Sequence, residues 1–233
     1  MLQLGFSKKR VAPSCQLCGL PNDSTHTHIC SSCQSLLPRN HTHCQRCALP
    51  MASPGVCGPC QTTPQPIEHI IAPYRFEFPM AQCVQQFKNQ SKLWRLNFLA
   101  DEFVQGLSLA GRPWPDVIIP IPSHTKRHLK RGYCHTTLLA KRIGQITGIP
   151  VDCHLVRRTR YQQPQSQMSR AQRLKLSKSH FSLREPATLQ GQRVALLDDV
   201  VTTGRTLKAV AERLQPLKPK SIQGWALCRT PNH

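Results

Sequence analysis

The sequence predicts an α/β protein: a parallel sheet with helices on both faces, preceded by a small zinc-binding domain. Three observations support this prediction. From about residue 67 onward, short apolar runs alternate with helical patterns, which is the order that builds a parallel sheet. One apolar run leads into two adjacent acids and a threonine-rich loop. Four Cys-x-x-Cys pairs are concentrated before residue 61. We therefore expect two domains, at residues 1–62 and 67–233.

The cysteine pairs indicate metal binding. Two intervening residues let both thiolates of a pair turn toward one tetrahedral ion, so eight thiolates fit two closed, structural zinc sites. Disulfides are the competing interpretation. The intervals between pairs allow zinc to bind successive pairs or interleaved pairs, and we favour successive pairs, as two zinc ribbons. The segment has few large apolar residues, so metal would supply its folding energy. The predicted ligands are Cys15, Cys18, Cys30, Cys33, Cys44, Cys47, Cys57 and Cys60.

A second motif combines a strand, two acids, a loop and a helix. The apolar run Val194–Leu197 is typical of a buried parallel strand, and Asp198 and Asp199 follow it. The threonines and Gly204 of the next loop lead into a helical pattern over Thr206–Leu214. Carboxylates at a strand end accept hydrogen bonds from ribose hydroxyls, while a helix N-terminus binds phosphate. The motif therefore predicts a sugar-phosphate site; a helix cap followed by an ordinary turn is the alternative.

A basic loop follows another buried strand, Asp116–Ser123. Ligands of open α/β sheets bind beyond strand ends, so this loop is a candidate site for pyrophosphate or nucleic acid. A solvated basic surface is the alternative. The segment Arg157–Lys178 is also basic and contains no acid; it is either a mobile lid over the ligand or a disordered loop. The candidate contacts of the first loop are Lys126, Arg127, Lys130 and Arg131.

Periodicity predicts the remaining elements of the second domain. They are one or two strands in Ile67–Phe78, a helix to about Lys88, a helix capped by Ser91, a helix over Leu138–Ile146, and strands over Val151–Val156 and Ser221–Cys228 with Trp225 buried.

The charge of the chain is strongly positive, +20, from 31 Lys and Arg against 11 Asp and Glu. Such a charge favours polyanionic partners, although a solvated basic surface would carry the same charge. The first residues contain no apolar stretch of secretory length, and no apolar run is long enough to cross a bilayer. We expect a cytoplasmic protein without membrane insertion.

The run Leu196–Leu207 resembles, position by position, the phosphoribosyl pyrophosphate (PRPP) signature of type I phosphoribosyltransferases. Taken as a whole, the chain is similar to the ComF/GntX family, bacterial phosphoribosyltransferase-like proteins with an amino-terminal zinc domain that are linked to DNA uptake and natural transformation. The other matching features are the cysteine pairs, the Ile-Pro-Ile-Pro strand, Arg131-Gly132-Tyr133, Arg158-Thr159-Arg160 with Gln165, and Leu227-Cys228-Arg229. The chain departs from the family at Tyr133-Cys134-His135, where Phe-Asn-Gln is common, and at Leu176, where Asn is usual.

The resemblance implies roles for the motif residues. Asp198 and Asp199 would bind the ribose hydroxyls of PRPP and would be the catalytic carboxylates if a transfer occurs. Magnesium and the pyrophosphate would lie near Arg127–Arg131. The residues implied for PRPP and phosphate binding are Val200, Val201, Thr202, Thr203, Gly204, Arg205 and Thr206.

Two functions follow as hypotheses. The first is a PRPP-binding protein that also binds single-stranded DNA and acts with DNA-uptake proteins. The alternative is an active phosphoribosyltransferase in nucleotide or base salvage. The expected cofactors are two structural zinc ions, and magnesium that accompanies PRPP. The zinc domain itself has three possible tasks: to contact nucleic acid, to dock on the second domain or to bind a protein partner.

Overall fold

The computed structural model describes residues 14–22, 28–89, 92–122, 133–158 and 181–231. The chain divides into two compact units, Met1–Leu37 and Pro38–His233. This boundary lies between the second and third cysteine pairs, whereas the predicted domains divide the chain between residues 62 and 67. The last four cysteines of the pairs therefore belong to the larger unit.

Within the described part of the smaller unit there is one short helix, and the other described α-helices and strands belong to the larger unit. In chain order they are α1 Ser31–Ser35, α2 Gly58–Thr62, β1 Ile70–Ile71, β2 Tyr74–Arg75, α3 Met80–Asn89, α4 Arg95–Leu109, β3 Val117–Pro120, α5 His135–Thr147, β4 Val156–Arg158, β5 Phe181–Leu183, β6 Arg193–Val201, α6 Arg205–Leu214 and β7 Ser221–Arg229.

Within the described ranges, five strands form one parallel sheet. Its order is β1–β7–β6–β3, and β2 pairs with the end of β7. The central strand β6 contains the predicted run Val194–Leu197, and its neighbour β3 lies within the predicted strand Asp116–Ser123. The last strand was predicted over Ser221–Cys228 and extends one residue further. The α/β prediction is confirmed.

Helices cover both faces of the sheet. On one face, the buried stripe of α6 packs against alternate residues of β6, including Leu196. On the other face, Phe103 of α4 makes an edge contact with Trp225 of β7, at a centroid distance of 5.7 Å. Trp225 is buried, as predicted. Burial of each large apolar side chain contributes about 1.5–3 kcal/mol to the stability of the fold, so helix packing on both faces stabilises the sheet.

The close packing of α6 on β7 requires a glycine. A Cβ atom at Gly224 would lie 3.0 Å from Cγ1 of Ile70 and 3.1 Å from Cδ1 of Leu207. The absence of a side chain at this position therefore brings the helix, and the loop before it, close to the sheet.

The prediction of a strand over Val151–Val156 is wrong for most of these residues, which form a turn. Val151 forms only a single bridge to Ile118. The Asp152 carboxylate then accepts hydrogen bonds from the backbone N–H groups of His154 and Leu155, at 2.8 and 2.9 Å. This turn ends the extended run, because an Asp side chain offers the backbone an alternative to sheet pairing. The chain continues as β4, which pairs antiparallel with β5 outside the main sheet.

The helix predictions agree with α3, α4, α5 and α6 to within a few residues. Ser91, the predicted cap of α4, lies outside the described residues, as do residues 159–180 of the predicted basic lid. Across the described ranges, no helix is both long enough and apolar enough to span a bilayer.

Candidate ligand-binding site

The predicted phosphate loop connects β6 to α6. Gly204 has φ of +72°, the left-handed conformation expected from the sequence, and directly precedes the helix. The Thr203 hydroxyl accepts a hydrogen bond from the Arg205 N–H at 3.5 Å, and the Lys208 N–H donates to the Gly204 carbonyl at 2.9 Å. The first turn of a helix lacks intrahelical acceptors for its N–H groups, which makes the start of α6 a suitable position for an anion.

The two adjacent carboxylates lie within β6 rather than after it, and they have different surroundings. Asp199 is buried, and its Oδ2 lies 2.7 Å from Nζ of Lys88 and 2.9 Å from Nε2 of His135. Asp198 is partly exposed, and its Oδ1 accepts a hydrogen bond from the Asp199 N–H at 2.9 Å. One carboxylate thus lies between a lysine ammonium group and a histidine ring, and the other is accessible to a ligand.

These surroundings move the two pKa values in opposite directions. Desolvation, followed by the charge of Asp199, raises the pKa of Asp198 to about 7. Burial alone would raise the pKa of Asp199 as well, but the hydrogen bond from His135 and the charge of Lys88 outweigh burial and hold this pKa well below its usual range. Near neutral pH, Asp199 therefore carries a compensated charge, and Asp198 exchanges its proton.

Both carboxylates line a cavity of about 280 Å³ at the carboxyl ends of β3 and β6. Val200 and Thr206 of the predicted phosphate loop line the same cavity. Its volume is slightly below the usual range for small-molecule sites, and it lies where ligands of parallel sheets bind. The other described lining residues are Lys88, Ile121, Pro122, His135, Thr136 and Arg158.

The sequence did not identify Lys88 or His135 as site residues. His135 was noted only as a departure from the family pattern, and its position as the first residue of α5 brings its ring to Asp199. Its other ring nitrogen, Nδ1, is buried and has no hydrogen-bond partner among the described residues. The predicted basic contacts Lys126, Arg127, Lys130 and Arg131 lie outside the described residues.

The cysteine pairs form two groups of four sulfurs, one in each unit, with all sulfurs of a group within 4.8 Å of one another. Successive pairs are thus confirmed. Four sulfurs at a Zn–S distance of about 2.3 Å lie about 3.8 Å apart around a tetrahedral ion. Cys18 and Cys30 have their Sγ atoms 3.9 Å apart, and Cys47 and Cys57 have theirs 3.6 Å apart. Both groups fit zinc, and these separations exceed a disulfide bond length by more than 1 Å.

Backbone amides support the thiolates. Leu17 N–H donates to Cys15 Sγ at 3.4 Å, and Cys57 N–H donates to Cys44 Sγ at 3.3 Å. Burial raises the pKa of both thiols, but backbone hydrogen bonds outweigh it and lower the pKa of Cys15 and of Cys44 to about 6. Each group therefore contains a thiol that ionises easily, as zinc binding requires.

The second group, Cys44 to Cys60, is connected to the sheet by hydrogen bonds. The Arg229 guanidinium at the end of β7 donates through Nε to the Cys47 carbonyl at 3.1 Å and through Nη1 to the carbonyls of Val201 and Thr202. The Ile70 N–H of β1 donates to the Arg46 carbonyl at 2.7 Å. One arginine thus joins the second cysteine group to the predicted phosphate loop.

Comparison with known proteins agrees with this architecture. The family model described as "Phosphoribosyl transferase domain" matches residues 115–233, and the model described as "Double zinc ribbon domain" matches residues 11–61. The protein named "DNA utilization protein YhgH" from Salmonella typhi is 31% identical over 93% of this chain and 96% of that protein. The chain belongs to the ComF/GntX family. Another relative, "Competence protein F" from Haemophilus influenzae, is 29% identical over 86% of this chain and 90% of that protein.

The ComF/GntX assignment accounts for both halves of the chain. The phosphoribosyltransferase match includes the Asp198–Asp199 pair and the loop before α6, and the zinc-ribbon match includes all eight paired cysteines.

Proposed function

We propose that this ComF-family protein binds PRPP and single-stranded DNA and acts in DNA uptake in the cytoplasm, together with proteins of the uptake machinery. The observation that carries the PRPP part is the shared cavity of Asp198, Val200 and Thr206 beside a helix N-terminus. The names of the relatives, which refer to DNA utilization and competence, support the DNA part.

The two carboxylates would contribute differently to PRPP binding. Asp198 would accept hydrogen bonds from the ribose hydroxyls, because it is the accessible carboxylate. Asp199 would hold Lys88 at the cavity wall, where the ammonium group is placed to attract the pyrophosphate. The loop before α6 would take the 5′-phosphate through backbone N–H groups. Carboxylate oxygens are also suitable magnesium ligands, and magnesium would neutralise charge on the pyrophosphate.

Calorimetric titration of PRPP with magnesium tests this assignment. We expect binding to the wild type and at least a tenfold loss in Asp198→Asn, since the amide cannot act as an anionic acceptor. The matched control is Asp116→Asn. The Asp116 N–H donates to the carbonyl of Arg193, the first residue of β6, so Asp116 lies at the end of that strand away from the cavity. Equal heats for the wild type and Asp198→Asn would reject the assignment.

The net charge of +20 favours a polyanionic partner and motivates the DNA part of the proposal. Fluorescence anisotropy with an oligothymidine should give an affinity that falls steeply with salt, because each neutralised phosphate releases counterions. Absence of binding at low salt, or binding that does not depend on salt, would contradict a single-stranded DNA partner.

An active phosphoribosyltransferase in nucleotide or base salvage is the second candidate. Its specific support is the pKa of about 7 at Asp198, which allows proton exchange near neutral pH. In the transfer, the bond between the anomeric carbon and the pyrophosphate oxygen breaks, and pyrophosphate leaves with the electron pair. A nitrogen or oxygen of the acceptor bonds to that carbon and gives its proton to Asp198. Release of pyrophosphate with nucleobases or DNA would support transfer, whereas tight binding without release would support the binding protein.

A further inference from the structure

A second and larger cavity, of about 580 Å³, lies in the unit Pro38–His233 between the second cysteine group and the predicted phosphate loop. The loop has two sides: Val200 and Thr206 line the cavity of the carboxylates, while Val201, Thr203 and Gly204 line this second one. Both cavities therefore share the loop, but neither carboxylate of the Asp198–Asp199 pair lines the second one.

The second cavity is positively charged. Among the described residues, its lining contains no acid and has four cationic side chains, Arg46, Arg205, Lys208 and Arg229. Four thiolates around one zinc ion would carry a net charge of about −2, which two of these cations balance. Arg46 and Arg229 contact the cysteine group directly, since they donate hydrogen bonds to the carbonyls of Cys60 and Cys47.

Two cations remain for a ligand. Arg205 is exposed and Lys208 is partly exposed, and both project from the first turn of α6, where the helix dipole adds positive potential. The anion that fits here is a phosphate group. PRPP is a poor match for this cavity, because no lining acid is available to accept hydrogen bonds from a ribose or to hold magnesium.

The floor of the second cavity is apolar. Leu49 and Ile67 are buried within it, and Ile70 and Val201 continue the floor beneath the loop. An apolar floor with cations at the edge suits one nucleotide unit, because a base buries its faces while its phosphate pairs with the cations. A cavity of this size admits a single unpaired base, whereas the bases of a duplex are stacked and paired and do not enter it.

We infer that the second cavity is a nucleotide subsite for single-stranded DNA, distinct from the cavity of Asp198 and Asp199. A base lies against the apolar floor, and its phosphate lies on Arg205 and Lys208. This inference rests on the proposed function, since it names the place at which the DNA partner binds. It also gives the second zinc ribbon a task, because the ribbon forms one wall of the subsite.

The test compares Lys208→Glu with Lys220→Glu in the full-length, zinc-loaded protein. Lys220 is an exposed lysine just before β7 begins and does not line the second cavity, and the two variants change the net charge by the same amount. We expect Lys208→Glu to bind oligothymidine at least tenfold more weakly at fixed salt, and Lys220→Glu to stay within about twofold of the wild type. Lys208→Gln should reduce the salt slope by about 1, which is the loss of one phosphate contact.

Calorimetry with PRPP and magnesium separates this inference from the proposed function. If Lys208→Glu loses DNA binding and keeps PRPP binding, the two cavities take different ligands, as inferred. If Lys208→Glu binds DNA as Lys220→Glu does, the subsite is wrong and the proposed function stands. If the wild type binds no DNA, the subsite and the single-stranded DNA part of the proposed function are both rejected. Loss of PRPP binding in a folded Lys208→Glu would overturn the separation of the two cavities.

Photocrosslinking gives a second readout that does not depend on a variant. An oligonucleotide containing 5-iodouracil should crosslink to peptides from residues 44–70 and 201–208. Crosslinks confined to other parts of the chain would contradict the subsite.

Discussion

Replacing Asp199 by asparagine should destabilise the protein by about 3 kcal/mol, whereas the same change at Asp198 should leave the fold stable and remove PRPP binding. The Asp199 side chain is 4% exposed and faces two partners, Lys88 at 27% exposure and His135 at 6%. Removing one partner of a buried ion pair typically costs about 3–5 kcal/mol, because the remaining charge stays buried without compensation. The Lys88 ammonium can reach water, so the lower end of this range applies.

Urea unfolding at pH 7 with zinc present measures this difference. With a slope of about 3 kcal/mol per molar urea, a loss of 3 kcal/mol lowers the midpoint by about 1 M. The folded pKa of Asp199 is depressed, so its contribution is present above its unfolded pKa of about 3.9 and is lost as the pH falls through the folded value. The gap between the wild type and Asp199→Asn should therefore shrink below about pH 4.

The double variant Lys88→Met/Asp199→Asn serves as the matched control, since it removes both the charge and its partner. It should recover part of the stability lost in Asp199→Asn, because neighbouring residues in one network are not additive. The reasoning is refuted if Asp199→Asn and Asp198→Asn unfold at the same urea concentration, or if only Asp199→Asn loses PRPP binding.

Three further predictions follow from the same structure. Because the pKa of Asp198 is raised to about 7, its carboxylate is about 10% ionised at pH 6, so PRPP should bind roughly tenfold more weakly by calorimetry at pH 6 than at pH 8. Gly224→Ala should cost about 1–3 kcal/mol in urea unfolding, because its Cβ would lie 3.0 Å from the nearest side chain, whereas Gly58→Ala, which meets nothing within 4 Å, should be close to neutral. Metal analysis should find two zinc ions per chain, and Cys60→Ser should reduce this number to one.

Local features of the site could be predicted from the sequence because their parts are contiguous. The apolar run, the two acids, the loop and the start of α6 follow one another along the chain, and each has its own pattern. Gly204 and its positive φ could be predicted for the same reason. The spacing of the cysteines predicted two groups of four thiolates around tetrahedral ions, but it left successive and interleaved pairs open, and the structure decides for successive pairs.

Contacts between distant segments could not be predicted in this way. Lys88 lies in the last turn of α3 and His135 is the first residue of α5, and nothing in either local pattern indicates that both reach Asp199. The bond from Arg229 to the Cys47 carbonyl joins positions 182 residues apart. The strand expected over Val151–Val156 failed for a local reason instead, since the Asp152 side chain competes with sheet pairing and turns the chain.

The two cysteine groups have similar sequence spacing but different surroundings, so they differ in how much the nearby fold depends on them. Among the described residues of the unit Met1–Leu37, the first group is accompanied by few buried apolar side chains, chiefly Ile29 and Leu37, so we expect zinc to supply most of the energy that holds these residues together. The second group lies beside Ala48, which belongs to the same apolar core as Ile70 and Val201. Removing its zinc would therefore leave much of the surrounding core in place.

The second cysteine group positions a carbonyl that faces the sheet. The Cys47 carbonyl accepts a hydrogen bond from Arg229, and this same guanidinium donates to the carbonyls of Val201 and Thr202 just before the predicted phosphate loop. Arg229 is buried and makes these bonds to carbonyls, so a shift of the cysteine group leaves its donors unsatisfied unless the loop moves as well. We therefore expect the loss of zinc from the second cysteine group to shift the predicted phosphate loop through Arg229.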